Sequence, residues 1–284
     1  MMPPLEVIFG SYAAKKFDEG TWFINFMEGS QNVYLLEGSE KALLIDTGYG
    51  TNTLADFVKT ITQKPLIVAN THFHPDHAGG NGEFPSVMMH HNWEADAAAV
   101  KPGPNLPFDI SKLPYPDYEK VLLHDGDIID LGDRKIEVLE LCAHSNSSLA
   151  FLDREHRFMI CGDELEAGQV LLYDLSASGK PYDLLDRVMA HRKNMQRIKR
   201  LQADIDHLLP NHNGFPIENT YIDDFIALVD AIFTGDAVIE DKLNHRFIEM
   251  DPIAPRLCRV KLGRVSFFME KQLLLQFYGK GEPQ

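Results

Sequence analysis

Apolar positions in the first third of the chain form short continuous runs broken by turn residues. "NVYLLEG" (Asn32–Gly38) and "KALLIDTG" (Lys41–Gly48) read as strands joined by the turn-prone "GSEK". In "TNTLADFVKTITQ" (Thr51–Gln63) the period changes, and Leu54, Phe57, Val58 and Ile61 recur at helical spacing behind capping-type residues. "PLIVANTHFH" (Pro65–His74) is then a buried strand that runs into a polar cluster. In α/β proteins, polar residues at the C-terminal end of a strand are where sites are commonly built.

The same pattern continues downstream. "VMMHHNW" (Val87–Trp93) reads as a strand, followed by helical "EADAAAV". Between Lys101 and Lys120 stand Pro102, Pro104, Pro107, Pro114 and Pro116, a density that forbids a regular element and predicts a long stiff loop. Its Phe108, Tyr115 and Tyr118 are candidates for a binding wall. "KIEVLELCAH" (Lys135–His144) alternates and ends on a histidine. "SLAFLDREHRFMICGDE" (Ser148–Glu164) reads as strand, turn and strand ending on Asp163. "PYDLLDRVMAHRKNMQRIKRL" (Pro181–Leu201) and "NTYIDDFIALVDAIFTG" (Asn219–Gly235) are amphipathic helices. "DIDHLLPNHNG" between them places His212 after a short apolar piece, and "RVSFFMEKQLLLQFYG" reads as strand-like to its end.

Composition narrows the function classes. The 284 residues are 44% hydrophobic, enough for a real core. Lys plus Arg is 27 and Asp plus Glu is 42, a net charge of −15. With no long basic run, nucleic acid is not an expected partner. Cys142, Cys161 and Cys258 are too few for a disulfide framework and read as free thiols of a reducing compartment. "MMPPLEVIFG" has no signal-peptide pattern, and the apolar runs fall far short of the roughly 20 residues of a membrane span. The expectation is a cytoplasmic protein with a small-molecule substrate and no membrane partner.

The candidate chemistry lies in "NTHFHPDHAGGN" (Asn70–Asn81). His72 and His74 stand two apart at a strand end, so both imidazoles are expected on one face. Asp76 and His77 follow once the chain has turned. Two ligands for one metal and two for a neighbour are easier to arrange than four around one tetrahedral ion. Imidazole with carboxylate suits Zn²⁺ best, with Fe or Mn as alternatives. His144, Asp163 and His212 each follow an apolar strand-like run, and Asp163 has two oxygens with which to bridge two ions. His124, His156, His191, His207 and His245 read as surface or capping histidines, and His90 and His91 as buried or edge-strand residues.

"THFHPDHAGGN" resembles the His-x-His-x-Asp-His loop of the metallo-β-lactamase superfamily. The likeness runs through "LLIDTG", "LCAHSNSS" and "ICGD" to "LLPNHNG". It implies an α/β fold, a four-layer αββα sandwich of two mixed β-sheets with outer helices, occupying residues 1–284 as one domain. Residues 216–284 are then expected to complete or cap that fold, or to make a homodimer contact. The resemblance also implies that His72, His74 and His144 hold one metal and Asp76, His77 and His212 a second, with Asp163 bridging and Asp46 buttressing the loop. The implied activity is a dinuclear zinc hydrolase of a small ester, thioester or lactone. Its nucleophile would be a hydroxide between the ions, with Asp76 catalytic as proton shuttle.

Departures from subgroup patterns shape the substrate expectation. Lactam-cleaving members lack the bridging aspartate that Asp163 supplies. Glyoxalase II-like enzymes share the ligand set but carry a glutathione-holding lysine where Leu172 stands. Lactonases carry a tyrosine where Glu166 stands, with Tyr173 nearby. Glu166, Tyr173 and Tyr115 are the candidate substrate-binding residues, and Arg256, Arg259, Lys261 and Arg264 are candidate holders of an anionic group. Two alternatives remain: an iron-containing redox protein of the same fold acting on O₂ or sulfur species, and a phosphodiesterase or nuclease.

Overall fold

The computed structural model describes residues 7–9, 12–26, 31–50, 53–99, 118–173, 183–243, 249 and 253–282. Phe108 and Tyr115 lie outside them, as does most of the proline-rich stretch. The first sheet runs in chain order through β1 (Val7–Phe9), β2 (Tyr12–Asp18), β3 (Thr21–Phe26), β4 (Asn32–Glu37), β5 (Ala42–Ile45), β6 (Leu66–Ala69), β7 (Ser86–His90) and β8 (Glu119–Leu123). It is antiparallel as far as β5 and parallel from there to β8. The second sheet holds β9 (Ile128–Asp130), β10 (Lys135–Glu140), β11 (Leu149–Asp153) and β12 (Phe158–Gly162). After a short β13 (Val170–Leu171) that pairs elsewhere, β14 (His207–Pro210) and β15 (Ile217–Glu218) complete it.

The continuous apolar runs are explained by burial on both faces. Tyr34 and Leu36 of β4, with Leu43 and Ile45 of β5, face the second sheet and meet Phe151, Phe158 and Ile160. Their sequence neighbours Val33, Leu35, Ala42 and Leu44 face outward onto Leu54, Phe57 and Val58 of α1 (Leu54–Ile61) and Trp93 of α3 (Trp93–Ala99). The short α2 (Pro75–Ala78) lies between these helices in sequence. In the second sheet, Ala150, Leu152, Met159 and Cys161 face away from the first. They pack on α4 (Leu184–Leu201) and α5 (Tyr221–Thr234). Helices, sheet, sheet and helices are the four layers expected.

A third sheet was not expected. Its order is β13, β18 (Val265–Glu270), β17 (Leu257–Leu262), β16 (Val238–Glu240), and Cys258, Val260, Phe267 and Met269 extend the core beneath α5. The tail after it corrects the sequence reading. "KQLLLQF" is not strand but opens on α6 (Lys271–Leu274), with Leu274 buried and Leu275 43% exposed. The next buried residue is Phe277, three positions on, a spacing that suits a helical turn and not a strand buried on both faces. No helix among the described residues is long and apolar enough to cross a membrane.

Candidate metal centre

Parallel pairing of β5 with β6 and of β12 with β14 brings their C-terminal ends to one edge of the sandwich. β10 runs antiparallel to β11, which runs antiparallel to β12, so β10 ends there too. Asp46, Asn70–His74, His144, Asp163 and His212 all follow these ends. The two sheets are stitched at this edge: Leu149 N donates to Thr71 O at 2.7 Å and Asn32 N to Asn211 O at 2.7 Å. Gly162 has φ +57, and a Cβ there would stand 3.0 Å from the Thr71 Cβ, so the close approach favours glycine.

β6 stops at Ala69, so His72 and His74 are not placed by strand alternation, as the sequence reading supposed. Local polar side chains turn the chain instead. Asn70 Nδ2 donates to His77 O at 3.1 Å. Thr71 donates its N–H and Oγ1–H to the two carboxylate oxygens of Asp46, each at 2.7 Å. His74 then sits at the N-cap of α2, with Pro75 at a position where its missing N–H costs nothing.

The seven ring and carboxylate groups fall into two adjoining groups, His72, His74, His144 and Asp163 in one and Asp76, His77 and His212 in the other. In the first, His74 Nδ1 is 2.9 Å from His72 Nε2 and 3.0 Å from His144 Nε2. His144 Nδ1 donates to Leu171 O at 2.9 Å, which leaves Nε2 with a bare lone pair. Thr71 Oγ1, its proton given to Asp46, accepts from His72 Nδ1 at 3.1 Å, with the same result. His74 has one Nδ1 proton to give at most, so at least one contact sets lone pair against lone pair. In the second group His77 Nδ1 donates to Asp46 at 2.8 Å, and its Nε2 faces His212 Nε2 at 3.2 Å. Asp76 Oδ2 lies 3.1 Å from His212 Nε2.

Asp163 spans both groups. Its Oδ2 lies 3.9 Å from His72, 3.7 Å from His144 and 3.6 Å from His212, and its Oδ1 lies 3.4 Å from His77. Oδ1 is buried and has no hydrogen-bond partner. Bare nitrogens and an unpaired carboxylate oxygen converging in a buried space fit a cation. Nitrogens held about 2.0–2.1 Å from Zn²⁺ in a tetrahedron stand roughly 3.3–3.4 Å apart, close to these separations. Burial and the neighbouring rings keep His72, His74 and His144 neutral, His74 down to about 3. Burial also opposes charge on His212, but Asp163 and Asp76 outweigh it and raise the ring to about 9. No thiol joins the set: Cys161 is buried, which pushes its pKa up, and its Sγ contacts Met159 O.

Asp46 belongs to neither group. It accepts from Thr71, from His77 Nδ1 and from Asn211 Nδ2, and so sets the orientation of the metal loop from behind. Of the predicted substrate residues, Glu166 is 3% exposed and accepts from Asn213, while Tyr173 is 7% exposed and packs on Leu257 and Phe268. Tyr118 Oη accepts from Asn81 Nδ2 at 3.2 Å. Leu172 is fully buried. The four cations suggested as an anion site are spent on carboxylates nearby. Arg256 pairs with Glu270, Arg259 and Lys261 with Glu240, and Arg264 with Asp224 and Glu218.

Sequence reasoning missed the residues behind the ligands. His191, read as a surface or capping histidine, is fully buried on α4 between Leu184, Val188, Met195 and Ile198. Burial lowers it to about 4. The spacing 184, 188, 191, 195, 198 carries that signal, since it is an unbroken three-four stripe.

The metallo-beta-lactamase superfamily model matches residues 27–212. The chain is similar to acyl-coenzyme A thioesterase MBLAC2 of Gallus gallus, 29% identical over 243 residues that cover 74% of this chain and 84% of that one. Hydroxyacylglutathione hydrolase of Erythrobacter litoralis is 35% identical over 98 residues, 34% of this chain and 33% of that one. A solved metallo-beta-lactamase from Pontibacter korlensis superposes with a TM-score of 0.56 at 18% identity, covering 77% of this chain and 98% of that one. The chain belongs to the metallo-beta-lactamase superfamily and is a hydrolytic enzyme.

Proposed function

We propose, with that membership as premise, that the enzyme hydrolyses thioesters of the acyl-coenzyme A type at a centre of two divalent ions, Zn²⁺ in the first instance. His72, His74 and His144 would hold one ion and Asp76, His77 and His212 the other, with Asp163 shared. The observation that carries this reading is the meeting of His72, His74 and His144 nitrogens at 2.9 and 3.0 Å without protons enough to share. Bound there, the ions would supply Lewis acidity, which acidifies water and polarises a thioester carbonyl.

The chain's own groups do the rest. Asp76 is the more accessible carboxylate, its side chain 21% exposed against 7% for Asp163, so Asp76 is assigned the proton transfer from attacking water. Asp46, through His77 Nδ1 and Thr71, keeps the rings aimed inward while the acyl carbon–sulfur bond is exchanged for an acyl carbon–oxygen bond. The products are a carboxylic acid and a thiol. Burial of Leu172 in the core supports a substrate other than a glutathione thioester, as does the longer likeness to the acyl-coenzyme A thioesterase than to the hydroxyacylglutathione hydrolase. The three free cysteines support a reducing, cytoplasmic setting.

The test is a panel of acyl-coenzyme A esters of graded chain length beside S-lactoylglutathione, an acyl-homoserine lactone and a phosphodiester, run on Zn²⁺-loaded protein. Turnover of the coenzyme A esters above the rest is expected. Preference for the phosphodiester, or O₂ consumption by an iron-loaded form without hydrolysis, would overturn the assignment.

A further inference from the structure

Helix α4 reaches the metal edge without lining it. Arg187 and His191 are four residues apart, so their side chains leave one face of the helix. Arg187 Nη1 donates to Ala143 O and Nη2 to Asn146 Oδ1, each at 2.8 Å, so the planar guanidinium straddles His144. His191 Nε2 donates to the backbone oxygen of Glu164 at 2.9 Å, one residue beyond Asp163. The Glu164 carboxylate closes the circuit, because its Oε1 accepts from Ala143 N at 2.9 Å and His144 N at 2.7 Å. From the opposite side Asp96 of α3 accepts from Asn146 Nδ2 at 3.0 Å and Ser147 Oγ at 2.8 Å.

The segment bearing His144 is therefore gripped by Arg187 of α4, Asp96 of α3, Glu164 and Leu171 O of β13, while His191 holds the backbone of Glu164. His191 is fixed in turn by the rings of Phe225 and Phe267, with centroids at 5.2 and 4.9 Å. These contacts surround the two segments from which His144 Nε2 and Asp163 Oδ2 approach to 3.7 Å.

We propose, resting on the two-ion reading above, that Arg187 and His191 are positioning residues that fix the spacing of His144 and Asp163, so that α4 sets the affinity of the centre for one of its ions. Neither residue touches substrate or metal. Partners of this kind behind metal ligands typically govern affinity by about 10–100-fold.

The full chain is stripped of metal and titrated with Zn²⁺ against a chromogenic chelator, with thermal unfolding of the metal-free protein as the control on folding. Arg187→Ala is expected to weaken one of the two Zn²⁺ sites by about 10–100-fold while the metal-free Tm moves by a few degrees at most. Arg187→Lys keeps the charge and the packed stem but only one of the two grips, and it is expected to recover part of that loss. It also serves as the readout if Arg187→Ala does not fold. His191→Gln retains an N–H for Glu164 O and is expected to bind Zn²⁺ more tightly than His191→Leu. Affinities within twofold of the wild type in Arg187→Ala, or in Arg187→Lys where Arg187→Ala does not fold, would overturn the positioning role. A wild-type chain that takes up no Zn²⁺ would instead sink the two-ion reading itself.

Discussion

Two histidine clusters in this protein use the same residue types at similar distances and differ in where the protons are. At the end of β7, His90 Nε2 lies 3.5 Å from Glu140 Oε1 and 3.5 Å from Cys142 Sγ, and His91 Nδ1 lies 3.1 Å from the same Glu140 oxygen. The His90, His91 and His124 rings are stacked, with centroids 4.2 and 4.8 Å apart. Here the protons can be placed so that no lone pair of His90 is set against another. Asn92 N donates to His90 Nδ1 at 2.9 Å, which puts the ring proton on Nε2 and aims it at Glu140 and Cys142. At the metal edge the far nitrogens of His72 and His144 are already donating, so their near ones arrive bare. Proximity of imidazoles and a carboxylate is therefore a poor criterion for a metal site; the partner on each ring's other nitrogen decides.

The sharpest way to break this contrast is to remove one ring from each cluster. His74→Ala should lower turnover by about a thousandfold, since the Lewis acid contributes several kcal/mol to the transition state. His91→Ala should leave turnover within about twofold, because an exposed histidine–carboxylate pair is worth at most about 1 kcal/mol. Steady-state rates on one acyl-coenzyme A ester decide it, and equal losses would erase the distinction.

A third buried polar group extends the comparison to stability. At the opposite end of the β10–β11 pair, Arg134 is 2% exposed and donates to Asp153 at 2.6 Å, Thr21 Oγ1 at 2.7 Å and Gly20 O at 2.8 Å. All its partners are in place without a cation from outside. Arg134→Ala strands the Asp153 charge and should cost about 3–5 kcal/mol in denaturant unfolding. Zn²⁺ uptake by the folded fraction should not change.

A smaller effect comes from pH. His191 titrates near 4 in the fold against 6.5 for the free side chain, so between those values the unfolded chain binds more protons. Its contribution to stability is complete above about pH 6.5 and is lost as pH falls toward 4, on the order of 3 kcal/mol. His191→Gln cannot titrate, so its stability should fall less steeply than that of the wild type across this window. Parallel curves would show that His191 is not the group responsible.

The smallest change is expected at Arg264. Its guanidinium is paired with Asp224 and Glu218 and lies over the Tyr221 ring, so Arg264→Ala should shift KM for an anionic thioester by less than about twofold. A rise of tenfold or more would restore it as a substrate contact.

How much of this was legible depended on range. The strands around Asp46, His72, Asp163 and His212 were readable because burial on both faces writes a continuous apolar run. His144, Asp163 and His212 follow strand ends, whereas Asp76 and His77 stand on α2, and the seven residues lie in two adjoining groups. What lay hidden was long-range. Arg187 meets the loop some forty residues earlier, and Glu164 grips backbone twenty residues before it, with no local pattern announcing either contact. The third sheet escaped notice because β13 has only two residues and β16 three, too short for period-two alternation to appear. The helical turn of α6 was masked by its leucine run, which suits strand and helix alike.

Metal counting tests the central claim most directly. The chain is stripped with a chelator, reloaded with Zn²⁺, freed of excess metal and analysed for metal per chain beside its rate on an acyl-coenzyme A ester. Two ions per chain, with activity lost on stripping and regained on loading, is the predicted result. No bound ion, or full thioesterase activity in the stripped protein, would contradict it.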